Sequence, residues 1–483
     1  MNRTAIRIFS LRAAMALFVG ALAVSAFAAT VSVNTTQDAV DPSDGLCSLR
    51  EAISAVNTGS FSGNTTGECN RGDGIADFIL VPAGVYALSL IGPNEDDNTS
   101  GDLDIRANVT ISGAGWAITQ IDATDFGAVP DRVMHIPVAG LTVVIHGIAL
   151  QHGHAPDGTN AQSGGGLLVA DADVTLLDAM LGDNQTGIVP GNGVGAGATA
   201  GRGGAVEIEG GSLSLVRSVV ARNLVNSSGS GGGIFAIDTD ISLYRSRVED
   251  NSAGIGTAGG LFCGSGCQIV VDQSSITGNL ANGGGGGLYL AGNSPHIMNS
   301  TIAGNASMNN GAGVYTFLFA VGQGNPQFDF VTIVDNQGEG IHFDNLLQGA
   351  GSVNLRNSIV AGNNGTDCYL AINGSFLSQG YNYLGSGCPV GVTDLDGSIL
   401  PLLLSPLTLD EGGFTQFMLP HPYSPIINRA SCSASGVFID QRSHSRPADV
   451  PGVPPFLENC DIGAAELDDV IFWDGMDDAQ VQP

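Results

Sequence analysis

Glu207 and Glu209 are the pair of residues in this 483-residue chain whose type and spacing come nearest to a reaction. Two positions apart on a strand, their carboxyls share one face at a separation of roughly 7 Å. That is the range in which a carboxylic acid and a carboxylate flank a water and hydrolyse a glycosidic bond with inversion. A solvated acidic strand edge accounts for the same two residues without any chemistry. No Gly-x-Ser-x-Gly, His-Glu-x-x-His or phosphate-binding loop competes with them.

What the pair means depends on the strands that carry it. Between Gly164 and Asn363 a glycine-led mark followed by an apolar residue occurs seven times, at Gly166-Leu167, Ala205-Val206, Gly233-Ile234, Gly260-Leu261, Gly287-Leu288, Gly313-Val314 and Gly340-Ile341. A second mark closes each copy, an apolar residue three places before an asparagine, from Leu181/Asn184 through Val248/Asn251 to Val360/Asn363. Between the marks, segments such as Ser212-Leu213-Ser214-Leu215 alternate apolar and polar, which is a strand period, and no copy carries a helical one. A coil of roughly 27 residues with two or three short strands, bent at Gly and Asn, predicts a parallel β-helix in which each coil pairs with the next. Asn tolerates the left-handed conformation at bends, and stacked Asn side chains can satisfy one another.

Aligning the copies turns positions into columns. Val206 and Ile208, Ile234 and Ala236, Leu288 and Leu290 face inward, so the residue between each pair faces out. The outward column runs Leu168, Glu207, Phe235, Phe262, Tyr289, Tyr315 and His342. Four aromatics about 4.8 Å apart form a ridge on which sugar rings could lay their C–H faces, with His342 beside them. Aromatic stacking that stabilises adjacent strands explains the same column. Asp178, Arg217 and Arg245 share another register, where an Asp beside an Arg one coil away is most simply an ion pair.

Composition bounds the setting. Glycine is 71 residues and aromatics only 6%, a balance suited to many tight bends and a narrow aliphatic core. Arg3, Arg7 and Arg12 before the apolar run from Ala13 to Ala23, then Ala26-Phe27-Ala28, predict a secretory leader cut after Ala28, with no later span long enough to cross a membrane. The formal charge is −30 and all 16 cationic residues are arginine, which disfavours nucleic acid and anionic membrane as partners. Eight cysteines in an exported chain predict disulfides, and proximity favours Cys47 with Cys69, Cys263 with Cys267, Cys368 with Cys388, and Cys432 with Cys460.

Behind the leader the chain reads Cys47-Ser48-Leu49-Arg50-Glu51-Ala52-Ile53. It continues through Gly101-Asp102-Leu103-Asp104-Ile105, Val109 to Gly115, Asp131-Arg132-Val133 and Leu141 to Ile148. These segments resemble the opening of the exported family named for the letters CSLREA. The resemblance implies an all-β, right-handed parallel β-helix of pectin-lyase-like class, with an N-terminal cap. Physically, Asp44 or Ser48 can cap a short helix that covers the open first coil. Near the other end, Ser424-Pro425-Ile426-Ile427-Asn428, Asp440-Gln441-Arg442, Arg446-Pro447 and Cys460-Asp461-Ile462-Gly463-Ala464-Ala465-Glu466 are similar to a choice-of-anchor module, although Ser443 stands where a glycine is usual. That likeness implies attachment to a cell envelope. Ile471-Phe472-Trp473-Asp474-Gly475-Met476 is similar to an ending of some exported bacterial proteins. The boundaries that follow are 1–28 leader, 29–74 cap, 75–388 repeats with a disulfide hairpin from Asp367 to Val390, 389–466 anchor-like module and 467–483 acidic-aromatic tail.

For ions, the run Glu95-Asp96-Asp97 with Asp102 and Asp104 could take calcium, though a solvated loop explains it too. His152-Gly153-His154, with Asp157 behind, lacks a third ligand. No metal site and no cofactor are therefore expected, calcium being the alternative. The expected role is an exported, non-catalytic surface or extracellular protein, adhesin-like or binding a polysaccharide or cell-surface glycan. The alternatives are a glycoside hydrolase using Glu207 and Glu209, or a structural spacer.

Overall fold

The computed structural model describes residues 29–467 except 74–75, 93–94, 125–130, 156–162, 188–200, 227, 293, 320–322, 347–350, 411 and 449–459. The leader, Asp157 and the acidic-aromatic ending lie outside the described residues. The chain winds as a right-handed parallel β-helix. One coil shows how the sequence does it. Val206–Glu209 lies in a ten-stranded sheet, Ser212–Val216 and Val219–Ala221 in a second, larger sheet, and Leu224–Val225 in a third of five strands. The next coil repeats this with Ile234–Ile237, Asp240–Tyr244, Arg247–Glu249 and Ser252–Ala253, each strand pairing in parallel with its counterpart.

The corners between strands are made by single residues in the left-handed region. Arg217, Arg245 and Gln273 each have φ of 48°, and the residue before each repeat asparagine follows suit, with Arg222 at 56°, Asp250 at 53° and Gly278 at 67°. The last value explains why glycine is welcome in that column. Alternate side chains then point inward, and Val206, Ile208, Leu213, Leu215 and Val220 are all fully buried in one continuous aliphatic core. Each such side chain contributes about 1.5–3 kcal/mol by leaving water.

The asparagine column is a hydrogen-bonded ladder inside the core. Asn184, Asn223, Asn251, Asn279, Asn305, Asn336 and Asn363 each donate through Nδ2 to the Oδ1 of the next, at 2.8–3.1 Å, and the last donates to Asp367. Each Oδ1 also accepts the backbone N–H of the preceding asparagine. A shorter serine ladder, Ser218, Ser246, Ser274 and Ser300, serves another corner in the same way.

Both ends differ from the repeats. Thr30–Ser32 pairs with Asp77–Val81, and the helix Leu49–Thr58 closes the first coil with Leu49, Ala52, Ile53 and Val56 in the core. Ser48, not Asp44, caps it, exchanging a capping box with Glu51. The expected hairpin from Asp367 to Val390 is corrected: Cys368–Ile372, Ser375–Ser378 and Tyr383–Leu384 pair in parallel with the coil before them, so this segment is a further coil. It reads otherwise because its glycine mark is lost. Cys47–Cys69, Cys263–Cys267, Cys368–Cys388 and Cys432–Cys460 are bonded as proximity suggested.

The described residues among 416–448 and 460–466 fold back along the helix. Gln441 donates to the carbonyl of Ser274 and accepts from Thr301, Gly463 donates to Asn357, and the Arg446 guanidinium lies over the Phe330 ring at 4.1 Å. Arg446 and Glu466 form a fully buried ion pair at 2.7 Å. No helix among the described residues is long and apolar enough to cross a membrane.

Candidate functional site

The ten-stranded sheet carries one outward column along the whole solenoid. In register it runs Asp104, His135, Leu168, Glu207, Phe235, Phe262, Tyr289, Tyr315, His342 and Tyr369. The repeat alignment found its middle seven members. Asp104, His135 and Tyr369 were not placed in it, although extending the column one coil upstream through Met134-His135-Ile136 finds His135.

Glu207 does not sit on a solvated acidic edge. Only 3% of its side chain is exposed, whereas Glu209 is half exposed at 53%. Arg202 joins the two, with Nη2 at 2.7 Å from Glu207 and Nη1 at 3.0 Å from Glu209. Burial pushes the Glu207 carboxyl up to about 7, against the Arg202 charge and the Ser163 hydroxyl, which favour the carboxylate. One carboxyl thus holds its proton towards neutral pH while its neighbour on the same face stands in water. That is the arrangement from which acid and base roles separate.

The rings beyond Glu207 form a ladder. Phe235, Phe262, Tyr289, Tyr315, His342 and Tyr369 are stacked with centroids 4.7, 4.9, 4.8, 5.0 and 4.8 Å apart, tilted by 5 to 29°. The stack expected along one face is present at the expected spacing. The faces are turned to one another, and the surface presents ring edges. A sugar needs a face for its C–H bonds. Arg202 covers the outer face of Phe235 at 4.6 Å, and Phe235 and His342 are buried. Among the described residues Tyr369, 41% exposed on the last strand of the sheet, has a ring stacked on one side only, against His342.

A polar cluster flanks the far part of the ladder. His342 Nδ1 lies 2.7 Å from Glu339 and its Nε2 3.5 Å from Asp344, while the Tyr315 hydroxyl donates to Asp344 at 2.5 Å. The acceptor carboxylate and burial raise the Tyr315 phenol above its ordinary range, burial being the larger cause.

The remaining candidates separate. Asp178 and Arg217 form the anticipated ion pair at 2.6 Å, while Arg245 approaches Asp410 at 3.7 Å. His152 faces Asp122 at 3.1 Å, and His154 bonds Gln185 and the Gly187 carbonyl, so these two histidines share no ligand. In the acidic run Asp96 and Asp97 are exposed, and Asp96 and Asp104 converge with His135, their donor atoms within 4.8 Å of one another. Asp102 instead meets Arg132 at 3.5 Å, and Asp97 meets Arg106.

No family model matches the sequence. Nor does any curated protein. Among solved structures the chain is similar to pectate lyase Pel9A, at a TM-score of 0.48 and 15% identity over 91% of this chain and 96% of that one. It is also similar to the A-module of the mannuronan C-5 epimerase AlgE4 of Azotobacter vinelandii, at a TM-score of 0.25 and 17% identity over 64% of this chain and 69% of the module. At these scores neither likeness bears on activity.

Proposed function

We propose that the ten-stranded face processes polysaccharide, with Glu207 as the proton donor to a glycosidic oxygen and Glu209 as the carboxylate that activates water. The observation that carries this reading is the Glu207 carboxyl, buried on an outward column and held up to about 7, two residues from an exposed carboxyl on the same strand. A general acid works best with a pKa near the working pH. Arg202, 37% exposed, now bridges the pair. It has to swing aside for a glycan and can then meet that glycan's own acidic groups. The family resemblance at Cys47 to Ile53 and the anchor-like residues Ser424 to Glu466 support an exported, envelope-associated place of action.

The test is product analysis by mass spectrometry, with purified protein and a panel of neutral and acidic polysaccharides. New oligosaccharides that vanish in Glu207→Gln, with the fold intact by circular dichroism, support the reading. An unchanged panel overturns it.

A second reading, a non-catalytic adhesin or spacer, is favoured by the mutual stacking of the rings, which stabilises the sheet whether or not a ligand binds. It predicts no products, and retention on glycan, if any, that depends on Tyr369.

A further inference from the structure

We propose that Asp96, Asp104 and His135 form a binding site for a divalent first-row transition ion, zinc by its donor type, which ties the loop carrying Asp96 to the first two strands of the ten-stranded sheet.

His135 Nδ1 lies 3.2 Å from Asp96 Oδ1 and 3.3 Å from Asp104 Oδ1. In an ordinary ion pair the ring N–H would turn to one carboxylate. Here neither contact has the direction of a hydrogen bond, and both His135 Nδ1 and Asp104 Oδ1 are buried without a hydrogen-bond partner. Buried polar atoms are almost always bonded, so two orphans facing each other across a gap need a third party. Zinc–ligand bonds of about 2.0–2.1 Å in a tetrahedron put neighbouring donor atoms roughly 3.3 Å apart, which is the separation of His135 Nδ1 from each carboxylate, and the three donor atoms together lie within 4.8 Å of one another.

The surrounding groups hold the donors in place. Asp104 sits on Leu103–Asp104 and His135 on Met134–Ile136, in direct register, so the sheet fixes one above the other. Asp104 Oδ2 accepts the Asn98 N–H at 3.1 Å, leaving Oδ1 to face His135. Asn98 is itself anchored to the capping helix, donating to the Arg50 carbonyl and the Ser54 hydroxyl. Such outer contacts orient metal ligands. One imidazole and two carboxylates suit zinc or a neighbour in its row and fall short of the six to eight oxygens calcium takes.

The experiment strips the purified full chain with chelator, then titrates zinc by calorimetry and cobalt by visible absorption, on the wild type and on His135→Gln, Asp96→Ala and His152→Ala. Asp96 is 64% exposed, so its replacement leaves the fold intact, which circular dichroism verifies. The wild type is expected to take one equivalent and to melt at a higher temperature with zinc. His135→Gln and Asp96→Ala should each weaken binding at least 10-fold, and His152→Ala should not change it. Failure of the stripped wild type to bind either metal overturns the proposal. So does binding that survives in both ligand variants, or that disappears in His152→Ala.

Discussion

Two ladders climb this solenoid one rung per coil, and they differ in what their rungs leave unspent. In the asparagine ladder the amide groups face one another, and the buried carbonyls fill the remaining valences. Asn279, for example, donates to Asn305, Val248 and Thr277 and accepts from the side chain and backbone of Asn251. In the aromatic ladder the rings satisfy one another's faces, yet edges, hydroxyls and the last face at Tyr369 still meet solvent or acids. A repeat that saturates its own bonding can only hold the fold. One that does not is where binding and chemistry can be added.

The sharpest way to break this contrast is Asn279→Ala. It leaves the Asn251 N–H and one of the two bonds of the Asn251 amide unmade and removes a donor from the Val248 and Thr277 carbonyls, all inside the core, and should cost about 3 kcal/mol or more. The denaturant midpoint should fall at unchanged slope. A loss below about 1 kcal/mol would mean that the ladder is incidental.

Tyr289→Ala comes next. It opens a ladder stacked on both sides and should cost about 2 kcal/mol. Tyr369→Ala removes a ring stacked on one side only and should cost about half of that or less, while weakening any glycan retention more. Equal costs in chemical unfolding would show that the open end is not special.

The amide ladder does not titrate, whereas Glu207 does. Its folded value of about 7 lies above the unfolded range of roughly 4.3–4.5, so its stabilising contribution is complete below that range and is lost as pH rises through 7. Asp461 and Glu466, raised by burial to about 6 and about 8, act in the same direction. The melting temperature should therefore fall between pH 5.5 and pH 8.5, and Glu207→Gln should remove part of that slope. Arg202→Ala withdraws a charge that favours the carboxylate, so the alkaline limb of any pH–rate profile should move up.

The smallest effect belongs to Arg222, whose pair with Asp183 at 2.7 Å lies in solvent. Arg222→Ala should cost no more than about 0.5 kcal/mol, and less at high salt. A larger loss in a salt series would mean that surface pairs share the ladder's work.

The fold was legible because its evidence is local and repeated. The apolar-x-x-Asn marks located the asparagine ladder, and the glycine marks located the inward and outward columns. The site was legible in position and not in environment. Spacing placed Glu207 and Glu209 on one face, but the burial of Glu207 depends on Arg202 and Ser163, which arrive from corners no periodicity describes. Alignment likewise placed Phe235 to Tyr315 on one line, yet a strand period says where a side chain leaves the backbone and nothing about how its ring then turns. The column extended upstream reaches His135, but nothing in the sequence joins it to Asp96 and Asp104, which lie on a loop and on the preceding strand.

The asparagine ladder crosses coils of very different length. Successive rungs are 39, 28, 28, 26, 31 and 27 residues apart, while the bonds between them stay between 2.8 and 3.1 Å. Every rung presents the same donor upward and the same acceptor downward, so rungs are interchangeable and the loops absorb the difference. Asp367 accepts from Asn363 but has no amide to pass the bond onward. The molecule therefore carries its own ruler. Gene duplication could lengthen or shorten it anywhere along the run of asparagines, and a carboxylate in an amide's place marks where counting stops.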